Sequence, residues 1–565
     1  MGNQEIYLSE NNSPARSGRT VRAITTAVLL TAACGYFFGS GIDLSTPEVP
    51  GAIGYKEGNF TWTKCYDQYD CSTLEVPIDY HNPHSAKFNL SLIRMKATEE
   101  PSYGPLFVNP GGPGGSGVSL VQLAGDVISK SVGGHYDIIG FDPRGVANSN
   151  PIRCFEDGTE SKFFLANRGF YLNPGDNPAN FAIVLEAYSK QCIRKNPDFL
   201  PYVSTAFVAR DIDALRDAFG QELTNYWGFS YGTFLGATYV NMFPDRVGRV
   251  LLDGVTDPTT FSGEIVDWIS TSLIHTEDGL DKFGTSCEEA GPEKCALAHP
   301  DKALAFDGEH YVAPTIRAFL KRMAYHPLLV EGSPDVILQT DAAALIFAAT
   351  YKVSDWPAVA EAFAQAIYKS EGNGFMKWKK ERQAERCPLV EEYTLDAMPI
   401  LCIDGHHNDH LNLTSYLEGV DKASKNVSPL AAPLWGSLFA QCLYWKVKAA
   451  ERFTGPWNHG LKNKIMLIGV TGDPVTPVES AEKLERLMDG NSVFHKHHGW
   501  GHCSTGQSSK CTTKVIHDYF ANGVLPEKGS ECPMETVPFQ TAFETFDNGI
   551  SVDDYTRLAN ALKGF

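Results

Sequence analysis

One serine, one aspartate and one histidine, in that chain order, suggest covalent acyl-transfer chemistry. Ser230 lies inside Gly228-Phe-Ser-Tyr-Gly232. Asn225-Tyr-Trp before it reads as a short strand, and residues 233–243 after it read as a helix rich in small residues. The serine then stands at a sharp strand-to-helix turn, where side chains two places to either side would collide and glycine fits both. A serine hydroxyl is a weak nucleophile. It needs a base to take its proton, and the base needs an anion to hold its tautomer and stabilise its cation. On a parallel sheet with such a turn, the acid follows a later strand and the histidine a strand later still. Asp473 stands just beyond the apolar run 464–470, in Gly472-Asp-Pro-Val-Thr-Pro, and His502 stands beyond 493–497, in Gly499-Trp-Gly-His-Cys. Ser230, Asp473 and His502 are therefore the expected nucleophile, acid and base. Asp489 falls between a helix and the next strand, at the wrong end of the sheet.

The tetrahedral oxyanion needs two backbone N–H donors. Tyr231, directly after the serine, is one. The other is expected from the loop Asn109-Pro-Gly-Gly-Pro-Gly-Gly-Ser-Gly117, at Gly111 or Gly112. A glycine-rich loop also suits phosphate, but this one lacks G-K-[ST] and G-x-G-x-x-G, and Pro110 and Pro113 remove two donors. His495, His497 and His498, and the run Gly405-His-His-Asn-Asp-His410, have no recognised ligand spacing, so no metal is expected. No cofactor is expected either.

The elements that must position these groups alternate. Strands are expected at 74–80, 88–95, 106–108, 136–141, 225–227 and 247–255, with helices at 118–132, 207–219 and 233–243 between them. Such alternation indicates a mostly parallel central sheet flanked by helices. It breaks after Pro258. Residues 258–458 read as a large helical cap inserted after the sixth strand, with apolar periodicity at 265–273, 316–323, 342–351 and 359–367. Strand 464–470, helix 477–488 and strand 493–497 resume the pattern. The expected division is a first core part at 60–257, the cap at 258–458, a second core part at 459–540 and a tail at 541–565 carrying a helix near 553–562.

The formal charge of −19 argues against nucleic acid as a partner. Residues 23–42 are uncharged, long enough to span a bilayer, and preceded by Arg16, Arg19 and Arg22. The positive-inside rule then makes 1–22 a cytosolic tail, 23–42 a single signal-anchor, 43–59 a stem and the rest extracellular or lumenal. Secretion after cleavage of this segment is the competing reading. Gly35 and Gly39 form a G-x-x-x-G pair of the kind that brings two membrane helices together as a dimer. Twelve cysteines follow the apolar segment, an even count that allows up to six disulfides. Cys65 with Cys71 and Cys287 with Cys295 read as local loops, and Cys503 is expected in a disulfide. Acceptor sequons stand at Asn59, Asn89, Asn412 and Asn426.

Taken together, the glycine loop, Asp137-Ile-Ile-Gly-Phe-Asp-Pro-Arg-Gly145, the Ser230 turn, Phe243-Pro-Asp-Arg-Val-Gly-Arg-Val-Leu-Leu-Asp-Gly-Val, Gly472-Asp-Pro-Val-Thr-Pro and Gly499-Trp-Gly-His-Cys resemble the tripeptidyl aminopeptidase branch of the proline iminopeptidase-type α/β-hydrolases. The resemblance runs from about 60 to 535 and implies an α/β-hydrolase fold and a serine exopeptidase that cleaves peptides from a free N-terminus. It also admits, as an alternative, a carboxylesterase or a biosynthetic hydrolase with the same three residues; an inactive binding protein on the same fold is a further alternative. If it is an exopeptidase, a cap carboxylate should pair with the substrate ammonium, and Asp404, Glu264 and Asp267 are the candidates, Asp404 first.

Overall fold

The computed structural model describes residues 55–57, 60–66, 68–167, 172, 175–385, 398–405, 410–539 and 550–562. The tail expected at 1–22, the span at 23–42 with Gly35 and Gly39, Asn59, Cys34 and Cys387 lie outside them. Among the described residues no helix is long and apolar enough to cross a membrane.

Among the described residues eleven strands form one sheet. In chain order they are β1 (Tyr55–Glu57), β2 (Phe60–Cys65), β3 (Tyr69–Pro77), β4 (Lys87–Met95), β5 (Pro105–Asn109), β6 (Asp137–Phe141), β7 (Thr224–Phe229), β8 (Val247–Asp253), then, after the hairpin β9 (Leu328–Leu329) and β10 (Val336–Ile337), β11 (Ile465–Gly472), β12 (Ser492–Trp500) and β13 (Glu531–Cys532). The spatial order is β1-β2-β3-β4-β6-β5-β7-β8-β11-β12-β13. The sheet is antiparallel from β1 to β6 and parallel from there to β13. Strands covered on both faces should be nearly all apolar. Accordingly β5 is buried throughout, and the Ile465–Val470 stretch of β11 is too.

Two expectations need correction here. The helical insertion follows the eighth strand, because β1 and β2 precede the first one read from the sequence. The stem expected at 43–59 also gives up Tyr55–Glu57 to β1. β1 is a three-residue strand at the sheet edge, and β2 beside it alternates buried and exposed positions instead of running apolar.

Core helices α1 (Gly117–Ser131), α2 (Thr205–Ala218), α3 (Tyr231–Met242), α4 (Val478–Leu487), α5 (Lys510–Asn522) and α6 (Val552–Leu562) cover the sheet. One apolar cluster joins α1, α5 and α6 through Val121, Ile128, Ile516, Phe520 and Leu558. The other joins α2, α3 and the inserted helices through Phe207, Leu235, Trp268, Phe363 and Leu434. Between β8 and β11 the chain is mainly helical, with helices that include Ile265–Ser272, Val312–Met323, Gln339–Ala349, Trp356–Lys369 and Ala432–Phe439.

Register aligns the strand ends. Asn109 stands opposite Gly228, Phe229 opposite Asp253, and Asp253 opposite Ile468. The loops after β5, β7, β8 and β11 therefore open on one edge of the sheet, where ligands bind in open α/β sheets. The Phe141-Asp-Pro-Arg-Gly145 motif serves the frame. Arg144 is fully buried, pairs with Asp211 at 2.6 Å, and donates to the carbonyls of Pro77, Ile78 and Tyr202.

Among the described residues five disulfides are present: Cys65–Cys71, Cys154–Cys192, Cys287–Cys295, Cys402–Cys442 and Cys511–Cys532. They suggest an extracellular or secreted body. Cys503 is not among them, contrary to expectation. It is buried, and its thiol turns beneath the end of β8 to donate to the Asp253 carbonyl at 3.4 Å. Of the sequons, Asn89 and Asn426 are exposed, and exposed Asn412 accepts from Ser415 N–H as the cap of helix Leu413–Asn426.

Candidate active site

Ser230 sits at the junction of β7 and α3 with φ 56° and ψ −125°. Its own N–H donates to the Asp253 carbonyl at 3.0 Å, which pins the turn to β8. The flanking glycines are needed for contact reasons. A Cβ on Gly228 would lie 2.3 Å from the Gly232 carbonyl oxygen, and one on Gly232 would lie 2.8 Å from the Asn109 backbone and side-chain oxygens.

Asp473, fully buried after β11, is held by five donors. Val475 and Thr476 N–H donate to Oδ1 at 3.0 and 2.8 Å, and the Thr476 hydroxyl and Cys503 N–H donate to Oδ2, both at 2.8 Å. The fifth is His502 Nδ1, 3.0 Å from Oδ2 and 3.1 Å from Oδ1. Burial pushes this carboxyl upward, but His502 and the N–H donors outweigh it and hold the pKa below the usual value. A carboxylate kept ionised against His502 Nδ1 fixes the tautomer that leaves Nε2 available as a base. Ser230 and His502 line the same cavity, and among the described residues the Ser230 hydroxyl makes no hydrogen bond. Catalytic hydrogen bonds between such groups often tighten only once substrate is bound.

A second carboxylate is close by. Asp253 ends β8, is fully buried, and accepts from Ser504 N–H at 2.8 Å and the Ser504 hydroxyl at 2.6 Å. Burial raises its pKa to about 6, against the pull of Ser504 and His502. Its oxygens are taken by Ser504, whereas those of Asp473 meet the imidazole.

The glycine loop abuts the turn. Gly111 has φ +96°, and a Cβ there would lie 2.9 Å from Ser230 Cβ and 3.0 Å from Tyr231 N. Of the two expected donors in this loop, Gly111 is already engaged, its N–H donating to Asn109 Oδ1 at 3.0 Å. Gly112 lines the cavity. Tyr231 opens α3, where the first-turn N–H groups have no helical partner.

Apart from Thr256 and Thr476, the rest of the cavity is mostly apolar and largely aromatic, with Phe261, Trp268, Tyr351, Trp435, Leu438 and Phe439 supplied by the inserted helices and their loops. Trp268 stacks on Trp435 with centroids 5.0 Å apart, and Phe439 lies 5.0 Å from Trp268.

None of the three carboxylates expected to meet a substrate ammonium lines this cavity. Asp404 is buried behind Tyr231. Its oxygens accept from Thr205 N–H at 2.8 Å and from the Thr205 hydroxyl at 2.6 Å, and that hydroxyl also bonds the Tyr231 phenol. Burial raises its pKa to about 6. It anchors the start of α2 and the ring of Tyr231. Glu264 faces His410 at 3.2 Å, and Asp267 is exposed while its neighbour Trp268 turns inward. Proximity to the Cys402–Cys442 bridge placed Asp404 well but did not orient it. Sequence reasoning missed Thr476 and Tyr351. Thr476 was legible in the motif after Asp473. Tyr351 reaches the site from the insertion, and no local pattern marks it.

His495 and His497 are buried on β12, both within reach of the Thr512 hydroxyl, at 3.4 and 2.8 Å. Burial lowers both to about 4. The unfolded chain then binds more protons between about pH 6.5 and 4, so their contribution to stability is whole above 6.5 and is lost as pH falls toward 4. Asp253 and Asp404, raised to about 6, act in the opposite sense. A His497→Asn variant should therefore melt below wild type at pH 7, with the gap narrowing at pH 5. Melting curves at the two pH values check this; a gap that widens would contradict it.

Comparison with known proteins agrees with this architecture. A family described as alpha/beta hydrolase fold matches residues 104–273, and one described as TAP-like protein matches residues 428–532. Serine protease Hip1 of Mycobacterium tuberculosis is 25% identical over 548 residues, covering 93% of this chain and all of that protein. Tripeptidyl aminopeptidase of Streptomyces coelicolor is 26% identical over 496 residues, covering 83% of this chain and 84% of that one. Carboxylesterase B of Mycobacterium tuberculosis is 26% identical over 487 residues, covering 82% and 86%.

Proposed function

We propose that this chain, a serine hydrolase of the α/β-hydrolase fold with a TAP-like region, is an aminopeptidase that releases short peptides, tripeptides in particular, from a free N-terminus. In this reading Ser230 Oγ attacks the scissile carbonyl while His502 Nε2 takes its proton. Asp473 holds the Nδ1 tautomer and stabilises the imidazolium. The oxyanion is met by the N–H groups of Tyr231 and Gly112. His502 then protonates the leaving amine; water, giving its proton to His502, attacks the acyl carbon, the Oγ–acyl bond breaks, the N-terminal peptide leaves with a carboxylate and His502 returns the proton to Ser230 Oγ.

The observation that carries tripeptide over single-residue release is the absence of a carboxylate among the described residues lining the cavity. Releasing one residue would put its ammonium beside the scissile carbon, inside apolar walls, where an unpaired charge is costly. Releasing three sets it two residues, about 7 Å, further out, at roughly 3.3–3.6 Å per extended residue. The relatives named as a protease and a tripeptidyl aminopeptidase support the same reading.

The same apolar cavity favours a second reading, a carboxylesterase, as one relative is named. One substrate panel separates the two. Free tripeptidyl p-nitroanilides should exceed both aminoacyl p-nitroanilides and N-acetylated tripeptidyl p-nitroanilides in kcat/KM by at least about 10²-fold, the order set by stranding a charged partner. Equal rates on free and acetylated peptides, with faster turnover of simple acyl esters, would establish the esterase reading instead.

A further inference from the structure

We propose that helix α6 is a wall of the substrate cavity and that Leu562 on it selects the acyl group. This rests on the hydrolase reading of Ser230, though not on the choice between peptide and ester. Leu562 lines the cavity that holds Ser230, Gly112, Pro113 and His502. The reason is the path of the helix. Arg557 pairs with Asp126 at 2.7 Å and Asp554 lies 3.8 Å from Lys130, so α6 runs antiparallel along α1. Moving toward Leu562 on α6 means moving toward Gly117 on α1, the residue where the glycine loop ends. Tyr555, Leu558 and Ala561 are buried against the core, and Leu562, one step round the helix, is left half-buried at the cavity.

The helix is also tied to the insertion. Lys352 Nζ donates to Asn560 Oδ1 and pairs with Asp355 at 3.0 Å. Its neighbours grip the histidine loop. The Tyr351 carbonyl accepts from His502 N–H at 2.9 Å, and Val353 N–H donates to the Gly506 carbonyl at 3.2 Å. The Tyr351 ring meets the imidazole edge-on, with centroids 5.2 Å apart. Three consecutive residues thus fix both the base and the wall opposite it in sequence, which holds Leu562 at a set distance from the reacting atoms. A side chain held in that way acts on substrate shape by volume, where a methylene or two is worth about 10- to 200-fold in selectivity.

The test uses the full chain and two substitutions of opposite volume. Each of Leu562→Trp and Leu562→Ala is assayed on tripeptidyl p-nitroanilides bearing Phe or Ala at the scissile bond, and on p-nitrophenyl esters of long and short acyl chains. The large-to-small ratio of kcat/KM should fall about 10-fold or more in Leu562→Trp and rise in Leu562→Ala, on whichever substrate class turns over. Melting temperature is followed in parallel, so that a loss of folding is told apart from a change of ratio. Turnover of esters alone would count against the peptidase reading and leave this ratio measurable. Ratios unmoved in both variants, or a uniform loss on all substrates together with a lowered melting temperature, would overturn the assignment. Leu562→Met, near-isosteric, should keep the wild-type ratio and shows that any loss is one of shape.

Discussion

Replacing Ser230 with alanine is expected to remove hydrolysis almost completely, by roughly 10⁶-fold in kcat, because the groups of such a site act as a unit and the acyl-enzyme cannot form without the hydroxyl. The fold should survive. The turn is held by the Ser230 backbone N–H on the Asp253 carbonyl and by the contacts of Gly228 and Gly232, none of which uses the side chain. Alanine tolerates the left-handed φ of 56° no worse than serine does. Melting temperature should therefore change little while activity and fluorophosphonate labelling vanish together. Turnover at wild-type rate in Ser230→Ala would show that the chemistry lies elsewhere.

The second large effect separates two buried carboxylates. Asp473→Asn should lower kcat by about 10⁴-fold with little change in KM, since an amide at that position favours the wrong histidine tautomer. Asp253→Asn should cost far less, less than about 10-fold. Its oxygens bind Ser504, and its raised pKa of about 6 means that it is partly neutral already in mildly acidic solution. Its influence on the imidazole is felt through space alone. Steady-state kinetics on both variants decide the matter. A larger loss in Asp253→Asn would transfer the role of the acid to β8. Asp489, in the turn before β12 with φ +48°, should tolerate Asn without loss.

Much of the fold was legible because parallel strands buried on both faces must be apolar runs. β5, β6 and β11 are such runs, and the helices between them carry one apolar stripe each. The order Ser230, Asp473, His502 was legible for a related reason: each residue directly follows or closely trails a strand, and parallel strands present those ends on one edge. The less legible parts depend on long-range packing. β1 and β13 are two- or three-residue edge strands with no sustained pattern, and β2 next to the edge is only six residues long. Tyr351 and Leu562 reach the cavity from parts of the chain far from Ser230, and nothing in their immediate neighbours distinguishes them from core residues. Counting cysteines suggested a partner for Cys503. The even count ignored what the adjacent His502 requires, since a backbone that aims the imidazole into the cavity turns the next side chain under β8. Glu264, Asp267 and Asp404 were chosen for charge and location, and their side chains are engaged elsewhere or stand outside the lining of the cavity that holds Ser230.

The central claim is that substrate is held covalently on Ser230 during turnover. Rapid quenching of the full-length protein with a p-nitrophenyl or tripeptidyl substrate in acid, followed by peptide mass analysis, tests it most directly. The expected result is an acyl adduct on the peptide containing Ser230 in the wild-type protein and none in Ser230→Ala. An adduct on another residue, Cys503 above all, or unimpaired turnover in Ser230→Ala, would contradict the account.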